Sequence, residues 1–522
     1  MSEIIEMLQK VGLGILGFLA LFCLYDFINF NILYPRSAKN RKCASPKTKY
    51  TFPLGIPTAL RAIYFFLKHD VNEFLRRDFF DSMVHTWRAN FVGVTVILTD
   101  DPENIKTFLA TSFKDYSLGW RYNIFFPVLG NGIFTLSGEG WKHSRAMLRP
   151  QFARDQITHL ESINHHVGKL IDIMKDNFKK DKISDFQVLL HQLTIDTATE
   201  FLFGESVDSL TDSNRKIVAP SGKSITGAQF VEAFNYCQDV LVLRFLCGGV
   251  FWLIDSFKFR YKAKVCKDFI DYFVAKALDK PMEKDEVAES YIFMKELTKE
   301  TRDPVVIRDQ ALNILLAGRD TTASVMSFMA VYMAKYPEVY QKLREAVAAD
   351  FGNDTSNITF ESLKRCKYLN NVLNEVLRLH PVVAFNFRQA VRDTTLPRGG
   401  GPKGDQPVFV PANTILAYSP YSMQRSADFW GPDADEFNPD RWDTPRGHGW
   451  EYLPFNGGPR ICLGQQFALT EMAVTWVRIC QAFEKIDMDT SKVGDYKHPK
   501  LHQRLTISVS GGVPCKLVPA SR

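Results

Sequence analysis

Paired cysteines, basic–aromatic runs and internal repeats are all missing from this sequence, and each absence removes a class of function. The nine cysteines are odd in number, scattered, and without the CxxC pairs of zinc sites or redox motifs. That usage excludes a disulfide framework and fits a reducing compartment with mostly free thiols. No stretch alternates Lys or Arg with aromatics, so the net charge of +6 suits a membrane surface or an acidic protein partner better than nucleic acid. Beyond Pro46, Pro53 and Pro57 there is no second linker or low-complexity tract. One large domain is therefore the simplest division, although 522 residues would allow more.

What is present begins with an apolar N-terminus. Val11 to Tyr25 carries no charge, with weaker apolar flanks reaching back to Ile4 and on to Leu33. At about 1.5 Å per residue the uncharged run alone is short of a roughly 30 Å bilayer core, so the flanks must contribute to any span. Against a cleaved signal peptide stand Glu3, Glu6, the lack of a small-x-small cleavage site and a basic stretch directly downstream. Arg36, Lys39, Arg41, Lys42, Lys47 and Lys49 in that stretch place the remainder of the chain in the cytosol by the positive-inside rule. Residues 1–34 are expected to be a single-pass anchor, 35–57 a stiff, extended basic and proline-containing hinge, and 58–522 the catalytic domain.

Helical patterns dominate the large domain. Asp303-Pro304 reads as an N-cap followed by Pro at the first helical position, opening a helix that runs to just before Pro337. A second starts after Thr359 and is stopped by Pro381. Short β-like runs near 92–99 and 407–419 make the class mainly α with small sheets.

The strongest chemical signal is Phe455-Asn-Gly-Gly-Pro-Arg-Ile-Cys-Leu-Gly464. A lone cysteine is usually a small buried hydrophobe. Here Cys462 directly precedes an apparent helix start, where backbone N–H groups are expected to lower its pKa and favour a thiolate ligand. Gly457, Gly458 and Gly464 are expected to let backbone approach a flat macrocycle, and Arg460 to pair with a carboxylate near the metal.

This segment resembles the haem-binding signature F-x-x-G-x-R-x-C-x-G of the cytochrome P-450 family and matches every defined position. The resemblance implies a cytochrome P-450 fold, haem b (iron protoporphyrin IX) and Cys462 as axial iron ligand. Axial thiolate donates electron density that favours O–O cleavage. Ala317-Gly-Arg-Asp-Thr-Thr322 resembles the oxygen-activation motif, with Asp320 and Thr321 in its acid and hydroxyl positions. Helical spacing puts Ala317, Gly318 and Thr321 on one face. Glu375-Val-Leu-Arg378 with Arg441 resembles the family's buried structural triad, although an E-x-x-R pair alone is ordinarily a surface salt bridge. Trp141-Lys-His-Ser-Arg145 resembles its W-x-x-x-R motif, and Arg388 a further position, so Trp141, Arg145 and Arg388 are expected at haem propionates.

No Gly-rich nucleotide fingerprint follows Cys462, so electrons are expected from a separate chain. The resemblance and the anchor together imply an NADPH-dependent flavoprotein reductase at the endoplasmic reticulum membrane. Lys142, Arg149 and Arg154 would belong to its docking face or simply to a solvated surface. Phrases such as Gly130-to-Arg154 and LPRGGG are similar to the fungal branch that hydroxylates n-alkanes and fatty acids. That implies O2-dependent hydroxylation of a lipophilic, fatty-acyl-like substrate. Terpenoid or polyketide tailoring, and a haem-thiolate isomerase or lyase that uses no O2, stay open. The apolar stretch from Phe245 to Tyr261 is either a membrane-dipping surface or core.

Overall fold

The computed structural model describes residues 2–80, 84–152, 160–212, 214–279, 293–444, 447–488 and 500–521. Helices dominate, with small sheets beside them. The longest interior helix, Pro304–Lys335, starts where its sequence predicts: the Asp303 side chain accepts from the Val305 and Val306 amides at 2.8 and 3.4 Å, and Pro304 takes the first position. Every residue from Asp309 to Met333 is buried except Ala317, Gly318 and Thr321. The helix therefore runs through the protein's centre, packed along Phe186–Phe203, and one small-residue patch keeps accessible surface.

The principal sheet has six strands in the order Lys47–Lys49, Thr86–Phe91, Val94–Thr99, Ile415–Tyr418, Asn386–Ala390, Tyr116–Ser117. Thr86–Phe91 and Val94–Thr99 form a hairpin. Asn386–Ala390 runs antiparallel to Ile415–Tyr418 with Arg388 opposite Leu416.

Two local expectations change. Residues 35–57 are not an extended hinge: Tyr34–Asn40 is helical, and Lys47–Lys49 is an edge strand pairing in parallel with Thr86–Phe91. Pro35 sits at a helix start, where its missing N–H costs nothing, and the strand satisfies backbone groups that a free hinge would leave to water. The helix after Thr359 is broken at Cys366 into Phe360–Arg365 and Lys367–Leu379. There the Asn370 side chain donates to the carbonyls of Leu363, Lys364 and Cys366 at 3.1, 3.2 and 2.8 Å, taking over acceptors left by the ended helix.

At the N-terminus, the segment Ile5–Asn40 is long and apolar enough to cross a membrane. Leu13, Leu16, Phe18, Leu21 and Leu24 project from it, exposed. Such a surface is stable only when something apolar covers it.

Candidate functional site

Cys462 lies in a loop closed by its own amide, which donates to the Phe455 carbonyl at 3.0 Å, just before the helix Gln465–Ala482. Its thiol is enclosed by the fold yet keeps accessible surface, so it faces internal space. Burial pushes the thiol above its ordinary value, against the pull of the Gly464 amide and the Arg145 charge. The donor expected at the helix start is present in the Gly464 amide, and in the protein alone burial outweighs it. Such a thiol ionises against a bound cation, releasing its proton as the metal binds. Neighbouring Leu463 packs into the same apolar cluster as Leu315 and Leu316 of the central helix.

The loop's glycines answer to protein neighbours. A Cβ on Gly458, at φ +70°, would lie 2.0 Å from the Leu109 carbonyl oxygen, and one on Gly457 would lie 2.6 Å from the Trp450 ring. Their smallness admits the protein's own backbone and an indole.

Among the described residues Arg460 pairs with carbonyls and no carboxylate. Its guanidinium donates to the Ile133 and Leu136 carbonyls at 3.3 and 2.9 Å and lies 4.3 Å from the Trp141 ring centroid. Arg145, one turn beyond Trp141 on the helix Gly138–Leu148, donates to the Ile461 carbonyl at 3.0 Å. Arg388 enters from the sheet, donating to the Phe387 carbonyl at 2.8 Å. A fourth guanidinium, which no motif announced, joins them. Arg121 opens the helix Arg121–Leu129 and donates to the Asn386 side-chain oxygen at 2.6 Å.

Burial, then the charges of Arg388, Arg121 and Arg145, pulls Arg460 down to about 8; burial, then Arg388, pulls Arg121 down to about 9. A guanidinium resists losing its proton, so these shifts register first the cost of burial and then repulsion between neighbouring cations. Among the described residues none of Arg121, Arg145, Arg388 and Arg460 forms an ion pair with a carboxylate, and Arg121 Nε, Arg388 Nε and Trp141 Nε1 are buried without an acceptor. Such a nest fits a planar group carrying carboxylates, with the Cys462 thiol near enough to be felt by Arg145.

Across the central helix the balance reverses. Asp320 is buried; its carboxylate accepts from Gln238 Nε2 at 2.7 Å and lies 3.1 Å from Arg319 and 3.5 Å from His191 Nδ1. Burial pushes this carboxyl up, but the Arg319 charge with its other neighbours outweighs burial and holds it below its ordinary value. The same burial drives His191 down to about 4, so the ring is neutral at pH 7. Thr321, on the patch with Ala317 and Gly318, donates back to the Ala317 carbonyl at 2.7 Å. Gln238 and His191 carried no sequence signal, since each is brought to Asp320 by the packing of a different helix.

Glu375, Arg378 and Arg441 come together away from this space. Fully buried Glu375 and Arg378 pair through two bonds of 2.8 and 2.9 Å. Arg441 approaches Glu375 at 3.5 Å and pairs more closely with Asp433 at 2.8 Å. Trp442 Nε1 and the Asn438 amide complete the carboxylate's partners at 3.0 and 2.9 Å.

The family model of cytochrome P450 matches residues 55–507. The chain belongs to the cytochrome P450 family. It is 54% identical over 500 residues to cytochrome P450 52E1 of Candida apicola, covering 95% of this chain and 96% of that protein. Cytochrome P450 52-E3 of Starmerella bombicola is 53% identical over 500 residues, with the same coverage of 95% and 96%. Cytochrome P450 52A6 of Candida tropicalis is 45% identical over 515 residues, covering 96% of each. This P450 is thus a haem-iron monooxygenase that needs O2, an oxidisable substrate and a redox partner. Its N-terminal helix suits membrane anchoring.

Of the basic residues considered for docking, Arg149 is exposed and Lys142 pairs with Glu139. Arg154 lies outside the described residues.

Proposed function

We propose that Cys462 is the axial ligand of haem b and that Trp141, Arg145, Arg388 and Arg460, with Arg121 added, hold its propionates. The observation that carries this reading is the nest of four guanidiniums, Arg388 buried and the other three half-buried, with no carboxylate among the described residues to pair them, beside an enclosed thiol. Bound haem supplies the redox chemistry that cleaves O–O and delivers one oxygen atom to a C–H bond. Ala317 and Gly318 would leave room beside it, because neither carries a side chain larger than a methyl. Thr321 holds a proton at its Oγ1, and Asp320, ionised and buried, passes protons to it through water. Glu375, Arg378 and Arg441 do no chemistry and hold the Phe437–Trp442 loop in place.

The substrate we infer is a fatty-acyl or alkane-like chain, on the resemblance of the sequence to the fungal branch that hydroxylates such molecules. Val250, Trp252, Leu253 and Phe257, all exposed in the stretch first marked as core or membrane-dipping, support a route for lipid ligands from a bilayer. Electrons come from a separate NADPH-dependent flavoprotein reductase. The assignment is residues 1–34 as anchor in the endoplasmic reticulum membrane, 35–57 as connection, and 58–522 as a cytosol-facing catalytic domain. The test is turnover by microsomes holding this P450 and the reductase against fatty acids, alkanes and polycyclic lipids. Hydroxylation at or near a chain end is expected. Oxidation of polycyclic lipids alone would overturn the substrate reading, and NADPH-independent turnover the redox one.

A further inference from the structure

A transmembrane anchor that merely tethers its enzyme needs no buried charge at its end. Here Asp26 follows immediately on exposed Leu24 and Tyr25, yet is itself buried. Its carboxylate accepts from Asn90 Nδ2 at 2.7 and 2.8 Å and from the Tyr50 hydroxyl at 3.0 Å. Asn90 is buried in the hairpin strand Thr86–Phe91 of the catalytic sheet. Burying a carboxylate is costly unless donors replace water, and here they do.

The contact continues along one helical face. Asp26, Phe30, Tyr34 and Ala38 recur every four residues, and all are buried. The Arg88 guanidinium, also buried, is layered 3.9 Å from the Phe30 ring centroid and 3.6 Å from that of Tyr34, and it donates to the Phe30 carbonyl. The Tyr34 hydroxyl donates to the Phe409 carbonyl at 2.7 Å. Nearer the membrane, the Phe22 ring lies so close to Gly93 that a Cβ there would meet it at 3.3 Å.

Beside this junction the helix Ile56–Leu67 packs on the same strand and turns Leu60, Ile63, Tyr64 and Leu67 outward. The spacing of three and four makes them a single apolar stripe. This stripe is continuous with the anchor through the hairpin tip, where Val92 and Val94 are also exposed.

We propose that anchor and catalytic domain form one rigid body, latched by Asp26, Asn90, Tyr50 and Arg88, which seats the Leu60–Leu67 stripe in the headgroup region of a phospholipid bilayer. This rests on the anchor assignment above. The occupant is lipid because the stripe adjoins a helix long and apolar enough to span it.

The test uses the full-length haem-loaded enzyme in phosphatidylcholine–phosphatidylserine nanodiscs. Spin labels go on unnatural amino acids at Leu16 and Lys216, which avoids the native thiols. A single narrow distance distribution is expected. In Asp26→Leu it should widen about twofold or more, as release to a flexible tether dictates, while the thiolate carbonyl spectrum persists to show folding. Exchange of the pair, Asp26→Asn with Asn90→Asp, should restore the narrow distribution. A fluorophore at Leu67 should be quenched by lipid-borne nitroxides and one at Glu139 should not, with several-fold less quenching at Leu67 in Asp26→Leu. A broad distribution in the unsubstituted enzyme, or an unchanged one in Asp26→Leu, overturns the latch. Proximity between Leu67 labels of two copies, in place of lipid quenching, overturns the lipid assignment. Failure of the anchor itself reads out separately, as loss of the protein from membranes on alkaline carbonate washing.

Discussion

Around Arg460 four guanidiniums crowd together with no carboxylate to balance them, whereas Asp320 is a single buried carboxylate supplied with donors. Both regions are desolvated, so the same low dielectric acts in opposite senses. It raises the energy of an unmatched cluster and strengthens a matched network. The first suits an anionic guest, which is why the propionates are assigned to it above. The second balances its charge within the protein, Asp320 against Arg319, although Gln238 Oε1, His191 Nδ1 and Arg319 Nε are buried without a hydrogen-bond partner among the described residues.

The most severe way to break the comparison is to remove the proposed iron ligand. Cys462→Ser should abolish the strongly red-shifted ferrous carbonyl spectrum of thiolate-bound haem and, with it, turnover. Persistence of that spectrum would sink the assignment of Cys462.

Removing one cation sharpens the comparison, since its effect should change sign with the guest. Arg460→Leu relieves repulsion in the haem-free protein, so thermal unfolding of that form should occur at higher temperature. In the haem-bound protein it removes a charge-assisted bond of about 1.5–3 kcal/mol, weakening haem retention roughly 10- to 100-fold. Haem transfer to a scavenging protein measures the second effect. If both forms lose stability alike, the guanidiniums are ordinary packing and not an anion cradle.

On the matched side, Asp320→Asn keeps shape and hydrogen bonds while deleting the charge. Turnover should fall by about 10²- to 10⁴-fold, the usual contribution of a positioned proton-transfer group. Thr321→Ala should act differently, consuming NADPH but releasing more peroxide per product. Unchanged coupling in Thr321→Ala would reduce that hydroxyl to its bond with Ala317.

The sequence made one side of this comparison more legible than the other. Trp141, Arg145, Arg388 and Arg460 stand in local motifs, and the structure brings them to one nest because short-range spacing sets their helix and strand positions. Arg121 escaped because it has no motif and meets Arg388 through Asn386 and the Phe387 carbonyl, distant in sequence. Gln238 and His191 escaped similarly, as partners chosen by helix packing and not by spacing. The long helix was readable from its cap and proline boundaries. The hinge was misread because prolines report local stiffness, while pairing of Lys47–Lys49 with Thr86–Phe91 is a long-range choice.

The smallest effect tests whether the Asp320 network is closed to water. Folded His191 titrates near 4 because burial disfavours its charge, and its ordinary value is 6.5. Between these values the unfolded chain binds a proton that the folded one refuses. Stability is therefore complete above pH 6.5 and lost as pH falls toward 4, by about 3 kcal/mol over the whole window. Asp320, already below its ordinary 3.8, titrates outside that window and adds nothing to it. His191→Gln should flatten this part of the denaturant-unfolding profile while leaving stability at pH 8 within about 1 kcal/mol of the parent. A parent profile that is already flat from pH 4 to 6.5 would mean that His191 accepts a proton without cost and that water reaches Asp320. The contrast between an open cationic nest and a closed acidic network would then fail on its acidic side.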